Sequence, residues 1–595
     1  MKRALSLSGT PVSPGIAIGR AVLWLSRDDT SVKRQIEPEE IPEELERLRR
    51  AAESSVAEIE MTGRQVGERL GPEFASIFTA HALFLQDRAF LGPIEKRIEN
   101  DRVNAEWAVT STTESLVARF RDLPDEAIAL RSADLEDVAR TLRKHLGDEG
   151  SSPTRIEDIP GESLVIIADE LTPSDAVRIP RDRVVAFATE RGGKTSHAAI
   201  LARSFGLPAV VAVPRLLASV ADGDQVIVDG RDGVVWREPP LAVASLFLDR
   251  RRDEARREES LKALSIGSQK TLTLDGQEIA IRANIELMSE VGDVLEYGAD
   301  GVGLFRSEFL YLSAGNVEFP DEAAQTAIYR EVLRRLAPRP VVIRTYDLGG
   351  KKGARQLVGF DESNPVLGLR GVRLCFARPE MFRTQLRALL AAASAGDLRI
   401  LVPMVSGVEE IRKVHTLLDE ARDDLRRHGV PVPDHVPLGA MIEVPSAAIT
   451  ADVIAPEVDF MALGTNDLVQ YTLAVDRANE TVSELFRPHH PGVLRLLSRV
   501  ASAAHAAKRP LSVCGEMAAD PANFLLLLGM GIREFSMGPR TVPVIKELAR
   551  GANTVEAARL TEAALTLATP DEVAAFLADA VRRHGMSESS RGVAA

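Results

Sequence analysis

Cysteine is nearly missing from this chain: Cys375 and Cys514 are the two thiols in 595 residues. That scarcity excludes a disulfide scaffold, and the wide separation of the two excludes zinc-type spacing, so each thiol has to be read on its own chemistry. Long apolar runs are missing too. No stretch approaches the length that crosses a bilayer, and Met1-Lys2-Arg3-Ala4-Leu5 is not followed by the sustained apolar segment of an export signal. A cytoplasmic protein without membrane insertion is the expectation. There is no basic surplus: 73 Lys and Arg against 87 Asp and Glu leave a net charge of -14. This argues against a nucleic-acid binder and suits a basic partner surface. What is present, 45% hydrophobic and 27% charged residues, is the balance of a globular protein with large cores. The length allows roughly three or four domains.

Near the start, Pro14-Gly15-Ile16-Ala17-Ile18-Gly19-Arg20-Ala21-Val22 alternates turn formers with β-branched residues, which predicts a small strand pair. From about 36 to 147 the pattern becomes helical, with Leu45, Leu48, Ala52, Val56 and Ile59 recurring at three- and four-residue steps. This reads as an all-helical insert. Within it the segment 78–87 is apolar all round, hence buried or a docking face, and His81 reads as a buried structural histidine. Residues 147–160 form a Gly-, Ser-, Asp- and Pro-rich connector, after which short buried strands are expected at 164–168, 184–188, 209–213 and 226–229.

Between the second and third of these strands lies Arg191-Gly192-Gly193-Lys194-Thr195-Ser196-His197, a glycine turn leading into the alanine-rich helix 198–205. Thr195 or Ser196 can cap that helix. A histidine in the first helical turn faces unpaired amides that favour a phosphate, and the positive field there disfavours the imidazolium, leaving a ring nitrogen able to attack. Taken alone, a capping or solvent-facing histidine is the commoner reading of such a segment, because Gly-Gly turns before helices are common. The segment 241–263, rich in Arg and Glu with periodic Leu and Ala, then reads as a helical linker, which suggests that the histidine-bearing domain travels.

Eight short apolar runs alternate with helical stretches beyond it, at 280–285, 301–305, 341–345, 399–403, 439–443, 459–463, 510–514 and 533–537, the layout of a (β/α)8 TIM barrel. Arg306, Arg344 with Asp347, Glu443, Asn466 with Asp467, and Cys514 with Glu516 all fall at carboxyl ends of these runs, where such barrels keep their chemistry. Converging arginines suit a phosphate and a carboxylate on one small molecule. Glu443 and Asp467 could ligate a hard divalent cation such as Mg2+, or could simply be paired buried acids. Cys514 could offer a proton to a carbon centre, or be a packed core thiol.

Gly192-Gly193-Lys194-Thr195-Ser196-His197, Gly303-Leu304-Phe305-Arg306-Ser307-Glu308-Phe309, Arg344-Thr345-Tyr346-Asp347-Leu348-Gly349-Gly350, Met441-Ile442-Glu443-Val444-Pro445 and the run Gly464-Thr465-Asn466-Asp467 to Asp476-Arg477 resemble the phosphoenolpyruvate-utilising enzymes. Their order, with the helical insert, is similar to Enzyme I of the bacterial phosphotransferase system for sugar uptake, from the N-terminal strand segment to about residue 575. The resemblance implies that His197 takes the phosphoryl group of phosphoenolpyruvate and passes it to a histidine of the phosphocarrier HPr, releasing pyruvate. It implies that Arg306, Arg344, Arg477 and Asn466 grip the substrate, with Lys352 and Arg370 as further rim cations. Glu443 and Asp467 would ligate Mg2+, Asp467 would also face the substrate, and Cys514 would protonate the enolate.

The implied organisation is α/β multidomain. A swivelling phosphohistidine α/β domain takes 1–35 and 148–240, a helical HPr-binding insert 36–147, and a linker 241–265. A phosphoenolpyruvate-binding barrel that also forms a homodimer takes 266–578, and a polar tail 579–595. Hinge motion is expected near 150 and within 240–265. Two departures from the family pattern are Lys194 in place of arginine and Ala176 in place of a threonine. A phosphoenolpyruvate synthase or pyruvate phosphate dikinase is the competing assignment. It would need an ATP-binding module, and no glycine-rich ATP loop precedes residue 150.

Overall fold

A computed structural model describes residues 4–24, 32–70, 78, 81–121, 132–147, 163–172, 175, 179–180, 182–193, 196–266, 270–308, 320–349, 364–477, 479 and 482–583. The chain forms two compact units that divide between Ala255 and Arg256, inside the helix Leu241–Ile266.

The first unit is built on one eight-stranded sheet: β1 (Leu5–Ser8), β2 (Thr10–Ser13), β3 (Ile16–Trp24), β4 (Leu164–Ala168), β5 (Val184–Thr189), β6 (Ala209–Val211), β7 (Gln225–Asp229) and β8 (Val234–Arg237), in the order β1-β8-β7-β3-β4-β5-β6-β2. All five residues of β4 are buried, which is why the run Leu-Val-Ile-Ile-Ala is apolar without alternation: a central parallel strand is covered on both faces. One face packs Val22, Ile166 and Phe187 against Ala198, Ala199 and Ala202 of the helix His197–Phe205. Small alanines let that helix lie close to the sheet. The strands and helix anticipated from sequence at 164–168, 184–188, 209–213, 226–229 and 198–205 are present with shifts at their ends.

The helical insert stands between β3 and β4. Its helices Ile41–Leu70, Arg88–Asp101, Ala105–Arg121 and Ser132–His145 bury Leu48, Ile59, Ile94, Ile98, Val109, Val138 and Leu142 in a core of their own. His81 is 1% exposed and its Nε2 lies 3.1 Å from Asp134 Oδ1, so the expectation of a buried structural histidine holds.

The second unit carries a closed barrel of β10 (Glu278–Ile285), β11 (Val302–Arg306), β12 (Val341–Arg344), β13 (Leu398–Val402), β14 (Leu438–Ile442), β15 (Phe460–Leu463), β16 (Leu511–Val513) and β17 (Glu534–Met537). Every neighbouring pair is parallel, and β10 bonds to both β11 and β17, which closes the ring. A two-residue β9 (Thr271–Leu272) pairs antiparallel with β10. All eight anticipated barrel strands are found within two residues of their expected ends. Leu304, Val342, Leu401, Met441, Phe460, Ala462 and Cys514 fill the interior, so the barrel is a packed core beneath its rim.

One boundary differs from the sequence reading. The helix Pro570–Arg583 runs through 579–583, which had been assigned to a polar tail. Val573, Leu577, Ala580 and Val581 are buried at helical spacing, and that stripe holds the end of the helix against the barrel unit. Among the described residues no helix is long and apolar enough to cross a membrane.

Candidate active site

The glycine turn of the first unit has the backbone its sequence demands. Gly192 has φ 108°, a region open to glycine, and a Cβ there would meet Ser196 Oγ at 3.0 Å. Ser196 is 3% exposed; its Oγ donates to Gly193 O at 2.8 Å and accepts from Ala199 N at 3.4 Å, so Ser196 is the residue that caps the helix opening at His197. Arg191 is tied back to Asp169, with Nε 2.8 Å from Oδ1. The backbone of His197 thus occupies the first position of a capped nine-residue helix. Lys194 and Ala176, the two departures, lie outside the described residues, as does Thr195.

In the second unit the chemistry-bearing residues gather at one end of the barrel. Arg306 and Arg344 are the last residues of β11 and β12 and are register partners. Glu443 follows β14, Asn466 and Asp467 lie in the first turn of the helix Thr465–Leu473 after β15, and Cys514 follows β16. These residues, with Glu308, Asp347, Arg370 and Arg477, line one cavity of about 230 Å3. Lys352 lies outside the described residues.

The cations are each met by acid. Arg306 donates to Glu286, and Arg344 donates to Glu308 and stands 3.1 Å from Asp347 Oδ2. Arg370 donates from Nη2 to Asp347 at 3.0 Å and to Asp467 at 3.0 Å, and from Nη1 to the Tyr471 hydroxyl at 3.0 Å. Burial opposes the charge on Arg344, but Glu308, Asp347 and Glu443 more than offset it and hold the guanidinium ionised. Arg477 is the most open of the four, 42% exposed at the side chain, with Nη1 3.9 Å from Glu516 Oε1. Asn466 is oriented by that same Glu516, donating to Oε1 and accepting from its backbone N, both at 3.1 Å.

Glu443 is 2% exposed, and its Oε1 accepts from Met404 N at 2.6 Å. Burial pushes its carboxyl up, Asp467 and Asp347 add repulsion, and Arg344 and Arg370 pull it back, leaving it at about 8. A cation between Glu443 and Asp467 would relieve that repulsion. No group of three or more His, Cys, Asp and Glu among the described residues is arranged to hold a metal ion alone. Two carboxylates, Glu443 and Asp467, are the kind of donors with which Mg2+ is held when water and a substrate phosphate complete its shell. Two glycines keep this end of the barrel open: a Cβ on Gly464 would meet Glu443 Oε2 at 2.5 Å, and one on Gly515 would collide with the Thr465 hydroxyl.

Cys514 is 4% exposed at the cavity floor, with Sγ 3.4 Å from Leu463 O. Burial pushes the thiol up and Glu443 adds to it, against Arg344 and Arg306, leaving it at about 12. It is a neutral thiol at pH 7 and can act as a proton donor rather than as a nucleophile.

Four polar residues at this end carried no assigned role in the sequence reading: Glu286, Glu308, Gln385 and Tyr471. Glu308 had a weak signal, two residues past a strand-end arginine. Tyr471 had none, since it meets Arg370 across 101 residues of chain.

Comparison with known proteins places these features in context. Family models of the PEP-utilising enzymes match residues 8–131 (N-terminal), 160–233 (mobile domain) and 261–554 (PEP-binding domain). The chain is 41% identical over 577 residues to the phosphoenolpyruvate-protein phosphotransferase of Geobacillus stearothermophilus, covering 97% of this chain and 98% of that one. It is 39% identical over 571 residues to the protein of the same name from Listeria monocytogenes, covering 96% and 98%. The one from Staphylococcus carnosus is 39% identical over 575 residues, again 96% and 98%.

Proposed function

Because this chain belongs to the family of phosphoenolpyruvate-protein phosphotransferases, we propose that its barrel cavity holds phosphoenolpyruvate and that His197 carries the phosphoryl group to a histidine of an HPr-type phosphocarrier. The observation that carries this reading is the convergence of Arg306, Arg344, Arg370 and Arg477 on one cavity that also holds Glu443, Asp467 and Cys514.

In the proposed reaction a ring nitrogen of His197 attacks phosphorus, a P–N bond forms, and the bond from phosphorus to the enol oxygen breaks. The electron pair of that bond leaves with the enolate of pyruvate. Cys514 gives its proton to the enolate methylene carbon, and the thiolate is reprotonated from solvent. Arg306, Arg344 and Arg477 hold the phosphate and carboxylate oxygens, with Asn466 as an amide donor and Lys352 as a further cation. Arg370, a further rim cation, bridges Asp347 and Asp467 and holds both in place. Glu443 and Asp467 would hold Mg2+, which supplies neutralisation of the charge on the substrate oxygens.

The carrier turn belongs to the first unit and the cavity to the second; in the proposed transfer His197 comes to the cavity, with the 241–265 segment as the element about which it moves. The helical insert is the proposed dock for HPr, whose basic face suits a chain of net charge -14. A homodimer through the barrel unit and a cytoplasmic location complete the reading.

The test is transfer of label from phosphoenolpyruvate. The intact protein labels itself and then HPr while releasing pyruvate, and His197→Ala does neither. Label passing to AMP and phosphate to make ATP would replace this reading with that of a dikinase or synthase.

A further inference from the structure

Bonds between β11 and β12 run out at the rim: the last register partners of the two strands are Arg306 and Arg344 themselves. Beyond that point the two segments carry Glu308 and Asp347, and the parallel ladder no longer holds them at a fixed distance. A side chain from the outer ring takes over. Gln385, on the helix Pro379–Ala392, is fully buried beneath both segments. Its Oε1 accepts from Tyr346 N at 3.0 Å, next to Asp347, and its Nε2 donates to Ser307 Oγ at 2.8 Å, between Arg306 and Glu308. Ser307 Oγ in turn donates to Arg344 O at 2.6 Å, so one amide and one hydroxyl join the two segments at three points.

The amide has no freedom to turn over. Its two N–H bonds go to Ser307 Oγ and, at 3.2 Å, to Tyr329 OH, while the carbonyl must face the Tyr346 N–H; a flipped amide would set donor against donor. Tyr329 OH passes the chain on to Gln325 Oε1 at 3.3 Å, and Gln325 Nε2 anchors to Pro320 O at 2.7 Å. Gln385, Ser307 and Tyr329 are each 0% exposed, and Gln325 is 1%. In such surroundings each bond is costly to lose and holds its partners firmly.

We propose that Gln385 is a positioning residue for phosphoryl transfer: its amide sets the separation of the Arg306–Glu308 and Arg344–Asp347 segments, and with it the fit of the two guanidinium groups to a phosphorylated acid. It touches neither the cavity nor the substrate and acts through Ser307 and Tyr346. The inference rests on the reading that these arginines grip phosphoenolpyruvate.

The test is steady-state pyruvate release by the full chain with HPr, comparing Gln385→Leu and Gln385→Glu, with the thermal midpoint of each. Loosening a paired grip costs about tenfold or more in KM for phosphoenolpyruvate. KM for HPr stays where it was, and Gln385→Glu, which retains the acceptor and in its protonated form a donor, recovers most of the loss. A KM for phosphoenolpyruvate within twofold of the parent in folded Gln385→Leu overturns the proposal and makes Gln385 a packing residue only. Should Gln385→Leu not fold, Ser307→Ala cuts the same tie while leaving the Tyr329 and Tyr346 bonds, and an unchanged KM there is equally decisive. Failure of the parent protein to release pyruvate would instead bring down the functional reading itself.

Discussion

Arg370 stands between Asp347 and Asp467, its Nη2 3.0 Å from an oxygen of each, and is the bridge on which the cavity's acid cluster depends. Glu443 faces the same two aspartates, so removing the bridge leaves Asp347 and Asp467 uncompensated and takes away one of the two arginines that pull the Glu443 carboxyl down.

Arg370→Ala is expected to cost about 3 kcal/mol of stability, since a buried charge loses its partner. Arg370→Lys keeps one charge but cannot serve Asp347, Asp467 and Tyr471 together, and is expected to lower turnover by about 100-fold. Urea midpoints and pyruvate release check the two effects.

Stability is expected to depend on pH through Glu443. Its carboxyl stands at about 8 in the folded chain against 4.5 for the free group, so between those values the folded state holds a proton that the unfolded state has lost. Unfolding free energy contributed by this group is full below 4.5 and declines as pH rises through about 8. Urea midpoints measured across that window in the presence of a chelator read the slope. Glu443→Gln flattens it, and so does excess Mg2+, which favours the ionised carboxylate.

Cys514→Ala is expected to slow pyruvate formation by about 100-fold while leaving single-turnover phosphorylation of His197 far less affected, because the proton moves after the P–O bond breaks. Rapid-quench measurement of the two products separates the steps. The native thiol, held at about 12 and 4% exposed, also resists alkylation at neutral pH until the chain is unfolded.

Gly464→Ala tests the packing behind Glu443. With φ -89° the backbone there accepts any residue, so the effect comes only from the new methyl group, 2.5 Å from Glu443 Oε2. Overpacking of this kind costs about 1–3 kcal/mol. The expected signature is a higher Mg2+ concentration for half-maximal activity, read from a metal titration of pyruvate release.

Much of this architecture was legible because its signals are local. Each barrel strand announces itself as a short apolar run, and because such barrels work at their carboxyl ends, Arg306, Arg344, Glu443, Asn466, Asp467 and Cys514 are recognisable as neighbours from their positions alone. The cap at Ser196 was one of two local choices, and geometry selected it. What stayed hidden is non-local. Gln385 looks like any polar position on an amphipathic helix, and only the return of the chain to Tyr346 and Ser307 gives it meaning. Glu286 and Tyr471 meet their arginines across 20 and 101 residues, distances at which periodicity carries no information. The end of the last helix differs for the opposite reason: the polar composition of 579–595 is a local cue, and it masks the buried stripe Val573, Leu577, Ala580 and Val581.

β3 and β4 lie side by side in the sheet, with Trp24 opposite Ala168, although the whole helical insert separates them in the chain. A parallel pair needs only about a dozen residues to cross from one strand to the next. The insert, with its own core, is therefore a cassette on a sheet that is already complete, tied to it by contacts such as the Thr172 hydroxyl donating to Asp137 at 3.3 Å, so the proposed HPr dock can be retuned by evolution largely apart from the sheet.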